Sequence, residues 1–90
     1  MSQANVDPGE LRRFAASLKN LSEDLESQMT VLHAQLLNLG QSWRDREHDR
    51  FVGEFEQTMQ AITRFVEAAG EHVPFLVRKA ERAEEYLSQR

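Results

Sequence analysis

Asn38-Leu39-Gly40-Gln41-Ser42-Trp43-Arg44-Asp45 is the stretch that divides this 90-residue chain in two. It is polar around a single tryptophan, and Gly40 has the position of a left-handed helix terminator. Ser42 and Asp45 are both of the type that caps a following helix. Upstream, apolar residues fall at 11, 14, 18, 21, 25, 29, 32, 36 and 39, in steps of three and four with one extra four-residue step after Leu21. That spacing predicts a helix. Its start is marked by Asp7-Pro8-Gly9-Glu10, a capping acid followed by proline at the first helical position.

Downstream the pattern is stricter. His48, Val52, Phe55, Met59, Ile62, Val66, Ala69, Val73, Leu76, Ala80, Ala83 and Leu87 alternate steps of four and three, a sustained heptad. Phe51, Thr58, Phe65 and His72 form a flanking column spaced by seven. The column widens the stripe to the three positions in seven typical of a bundle helix with two neighbours. Pro74 interrupts the ladder at the Gly70 carbonyl. The heptad keeps phase through it, so a kink is expected, with a full break and a third helix from about residue 75 as the alternative.

The expected fold is all-α. A helix over 8–39, a turn around Trp43 and a helix over 45–88 kinked near Pro74 form an antiparallel hairpin, with residues 1–6 disordered. The chain is one domain, 1–90. At roughly 1.5 Å per residue the helices would measure about 48 and 65 Å, so the second should overhang the first beyond Pro74. A two-helix core is thin for a chain of this size. Phe51, Phe55, Met59, Ile62, Phe65 and Val66 offer more apolar surface than one partner helix covers. Pairing of two hairpins into a four-helix dimer is expected.

Composition narrows the function. With 15 acidic and 11 basic side chains the formal charge is −4, and no basic stripe exists to meet nucleic-acid phosphates. The absence of cysteine excludes thiolate metal sites and a cysteine nucleophile. No apolar run reaches membrane-spanning length, so no membrane insertion is expected. The N-terminus has neither the basic start nor the apolar core of a cleaved signal.

Chemistry is hard to find. Glu47, His48 and Asp49, flanked by Asp45, are the only polar cluster with metal-ligand residue types. Consecutive helical residues point in different directions and cannot converge on one ion. His33 has a boundary position, and His72 is expected to be half-buried with its polar tip in water. No nucleophile–base arrangement or phosphate loop is present, so no enzyme, cofactor or metal is expected. Trp43 is expected to plug the hairpin core at the turn first, and to face a partner second. After Pro74 the seam turns small, with Leu76, Ala80 and Ala83 ending at Tyr86 and Leu87. Together with the overhang, this marks residues 75–90 as a candidate export or partner handle; a merely frayed helix end is the plain alternative.

From Asp7 to Leu87 the sequence resembles the WXG100 family, small secreted helical hairpins of type VII (ESAT-6-type) secretion systems. The family carries Trp-X-Gly at the turn and an aromatic residue eight positions after the tryptophan. Phe51 stands eight residues after Trp43, whereas Trp43-Arg44-Asp45 has aspartate in the glycine position. The family's C-terminal export signature, tyrosine with an acid four residues later, is altered too: Tyr86 is followed at that distance by Arg90. The resemblance implies a secreted effector or carrier, exported without a cleaved signal peptide. Its expected partner is itself or a paralogous hairpin, with a secretion ATPase or a toxin as further candidates. The alternative is a cytoplasmic coiled-coil adaptor or chaperone-like subunit that holds a partner's amphipathic helix.

Overall fold

The structure is a computed structural model and describes residues 6–89. It holds two helices, α1 (Pro8–Leu39) and α2 (Arg46–Ser88), folded back antiparallel. Residues 1–5 lie outside the described residues, so the expected disorder of 1–6 concerns mainly them; Val6 itself is half-buried. Asp7 caps α1 by accepting hydrogen bonds from the Gly9 and Glu10 amides at 2.8 and 3.4 Å. Asp45, rather than Ser42, caps α2, accepting from the His48 amide at 2.9 Å. Ser42 instead donates to the Leu39 carbonyl within the turn.

Gly40 does not adopt the left-handed conformation expected of it. Its φ of −65° and ψ of −14° are right-handed helical. The Gly40 amide bonds to Leu36 and the Trp43 amide to Leu39, so the chain coils beyond α1 before reversing. No described residue has positive φ. Asp45, in the position of the family's glycine, is extended at φ −128°. That backbone suits any residue, and aspartate fits through its cap.

α2 runs unbroken through Pro74, which removes the alternative of a third helix. The carbonyl left without its usual donor belongs to Gly70, which is exposed and has open space where a side chain would stand. Water can reach it there.

The most deeply buried positions of the hairpin are held by small residues. Ala15, Ser22, Ala69 and Ala80 are buried, Ala80 completely, and Leu36 joins them. The Ser22 hydroxyl is satisfied by the Leu18 carbonyl at 2.9 Å. Ala15, Ser22, Met29 and Leu36 are spaced by seven, so the seam of α1 is an unbroken heptad. The apparent extra step after Leu21 arises because the more obvious leucines lie beside this seam in the first half and on it in the second.

The segment after Pro74 does not overhang α1 as expected. Arg12 grips Glu84 with two hydrogen bonds of 2.8 Å, from Nε to Oε2 and from Nη2 to Oε1. The start of α1 is therefore level with the end of α2. At the other end the His48 ring lies against Gly40, so α2 begins close to the end of α1. The segment after Pro74 is covered, and Ala80, expected in a free handle, is part of the hairpin's own core.

Candidate interaction surfaces

The hairpin measures 68 × 22 × 14 Å, one helix layer thick. Stable domains usually bury apolar faces between at least two layers. Its accessible surface is 7095 Å², against about 5,400 Å² for a typical folded monomer of this mass. Much of the excess is apolar: Phe14 is 61% exposed, and Leu21, Leu32, Leu39, Phe51 and Phe65 are also exposed.

Helical phase assigns Phe14, Leu21, Phe51 and Phe65 to one face, while Leu37, 65% exposed, lies outside it. On α1, Arg12, Lys19, Glu26 and His33 are spaced by seven along one side of the seam. The bond from Arg12 to Glu84 fixes the side of α2 they meet, the column of Glu56, Thr63, Gly70, Val77 and Glu84. That is the polar face. Phe14 and Leu21 lie on the opposite side of α1, and Phe51 and Phe65 on the matching side of α2. The six residues proposed from sequence as core or interface divide between seam and face: Phe55, Met59, Ile62 and Val66 are half-buried, while Phe51 and Phe65 are exposed. His72, expected to be half-buried, is exposed.

At the hairpin tip the half-buried Trp43 meets His48 edge-on, with ring centroids 5.0 Å apart, and Phe51 at 5.9 Å. Phe51 in turn stacks on Phe55 at 5.7 Å. These four rings form one cluster at the tip. The His48 ring lies against Gly40; its Nε2 is buried without a partner, and its Nδ1 stands 3.7 Å from Asp49. Asp45 aims the α2 start by its cap and has no other role in the cluster.

At the base Tyr86 is 69% exposed and Leu87 is exposed, whereas Leu76 and Ala83 are half-buried and Ala80 has no surface at all. Sequence reasoning missed a groove in the polar face of about 540 Å³, lined by Glu26, Met29, Thr30, His33, Met59, Thr63, Val66 and Glu67. Its signal, polar residues beside the seam at spacings of three, four and seven on both helices, is the same as that of a solvated face.

The family model for WXG100, described as proteins of 100 residues with WXG, matches residues 3–86. The chain belongs to the WXG100 family. No curated protein matches it. Among solved structures it is similar to the secreted protein EsxB of Bacillus anthracis strain Sterne, at 27% identity and a TM-score of 0.79, covering 94% of this chain and 99% of that one. A glutamate-to-glutamine mutant of EsxB matches at 25% identity and 0.78, covering 92% and 99%. A proline-to-alanine mutant of the same protein matches at 28% and 0.71, covering 89% and 95%. The departure at Asp45 thus leaves the family's hairpin intact. No described helix is long and apolar enough to cross a membrane, and no three His, Asp or Glu side chains among the described residues gather as a metal site.

Proposed function

We propose that this chain is a non-catalytic effector or carrier of a type VII-like secretion system that acts as a dimer. Two hairpins join through the faces bearing Phe14, Leu21, Phe51 and Phe65 to make a four-helix bundle, which is exported without a cleaved signal. The observation that carries this reading is the one-layer hairpin that exposes Phe14, Leu21, Phe51 and Phe65 together on one face. That face spans 68 by 22 Å, and covering half of it buries about 750 Å² per partner, the size of a stable interface. Membership in WXG100 and similarity to a secreted protein support export. Trp43 acts as the tip plug. Of the expected C-terminal handle, Tyr86 and Leu87 remain as surface for a secretion ATPase or a toxin.

Light scattering on the purified protein tests the dimer. A particle of twice the chain mass, reduced to one by Phe14→Glu with Phe65→Glu, is expected. A well-folded wild-type monomer at tens of micromolar would refute self-pairing, and a poorly folded one would identify a paralogous hairpin as the obligate partner. The position of Arg90, where the family has an acid, favours the second reading, a retained adaptor. A tagged copy followed in the medium and cells of the native host separates the two: retention with the secretion system intact supports the adaptor.

A further inference from the structure

We infer that the groove on the polar face is a docking site for a basic amphipathic helix of a partner protein. It goes beyond pairing and export, because it belongs to a single hairpin and lies on the face turned away from the apolar one. It stays open whether or not two hairpins join.

Three features define the occupant. The floor is formed by Met29, Met59 and Val66 where the two helices meet. Unbranched thioethers adapt to apolar side chains of different shapes and are favoured where one surface accepts varied helices. The rims are acidic on both sides, with Glu26 on α1 and Glu67 on α2. Glu23 lies one turn from Glu26, and Glu56 one turn from Met59 on the same face. Among the described residues none of these four carboxylates has an ion-pair partner within 4.0 Å, although Arg12 with Glu84 and Arg50 with Glu54 do. Lys19 stands one turn from Glu23 and Arg64 one turn from Glu67, neither within ion-pair distance of them, and His33 is the one other ionisable group in the lining.

The trough also has direction. It follows the valley between two helices and extends over the two turns from Glu26 to His33, about 10 Å. A rod laid along such a valley contacts both helices, whereas a compact ligand would leave much of the opening uncovered. A helix with leucine-like anchors towards the methionines and lysine or arginine on both flanks would place its cations against Glu26 and Glu67.

The test uses full-length protein labelled at its methionine methyl groups. The probe is a 14-residue helical peptide of leucine and lysine, with its leucine–glutamate counterpart as control. The lysine peptide should shift the Met29 and Met59 methyl signals and the control should not. The substitutions Glu26→Gln and Glu67→Gln together should weaken binding at least about tenfold, and raising salt should weaken binding to the wild-type protein. Unmoved Met29 and Met59 signals, an equal response to both peptides, or, on a second sample labelled at its phenylalanine rings, shifts confined to Phe14, Phe51 and Phe65 would overturn the inference. These readouts on wild-type protein decide the matter even if the double variant folds poorly.

Discussion

Replacing Ala80 with leucine should destabilise this protein although leucine is a good helix former. Ala80 has no accessible surface, and Ala15, 2% exposed, lies at the same end of the seam, where Arg12 holds Glu84. Three added carbons have no void to enter, so they must tilt the side chain off its rotamer or force α1 and α2 apart. Overpacking of this kind costs about 1–3 kcal/mol. In a chain of this length 2 kcal/mol lowers the midpoint of thermal unfolding by about 10 °C or slightly more. Circular dichroism at 222 nm, at one fixed protein concentration, measures the shift. Arg82→Leu, two residues away and exposed, serves as the control and should move the midpoint by no more than a few degrees. If Ala80→Leu leaves the midpoint unchanged or raises it, α1 does not pack on the C-terminal segment and the close seam at this end is wrong.

Two further outcomes follow from the tip and the base. Trp43→Ala removes a half-buried ring that contacts His48 and Phe51 and should cost about 2 kcal/mol, below the range for a fully buried tryptophan; urea unfolding followed by circular dichroism measures it. At the base, hydrogen bonds from Arg12 hold the Glu84 carboxyl below its ordinary pKa of 4.5. The folded state therefore binds this proton less readily than the unfolded one, and the stabilisation is present above that value and lost as pH falls through the depressed one. Glu84→Gln should thus lower the melting midpoint slightly at neutral pH, and the difference from wild type should close in acid.

Most of the fold is legible in the sequence because it depends on period and punctuation. Asp7 and Pro8 start α1, the heptad from His48 to Leu87 sets α2, and Trp43 marks the turn, all through local rules. What escapes is register. Sequence spacing treats Leu11, Phe14, Leu18 and Leu21 as the core because they are large. The most deeply buried positions are instead held by small residues, Ala15, Ser22 and Ala80 among them. Leu11 and Leu18 are half-buried beside them, but Phe14 and Leu21 are exposed, so a size-weighted pattern is drawn to the side of the seam. The same uncertainty of register makes a segment that packs on α1 resemble a free overhang. The polar-face groove escapes for a different reason. It depends on which side of α1 meets which side of α2, and only a pair as distant as Arg12 and Glu84 fixes that.

The distance in sequence between facing residues grows steadily along the hairpin. Gly40 and His48 are neighbours across the turn, whereas the bond between Arg12 and Glu84 closes a loop of 72 residues. Each rung formed near the tip shortens the loop that the next must close, so the entropic cost is met in small increments. Such a chain closes as a zipper, from the tryptophan end downwards, and frays in the reverse order. The Arg12–Glu84 clasp is then the last connection made and the first released. It is also the point at which pulling on either terminus begins to part the helices.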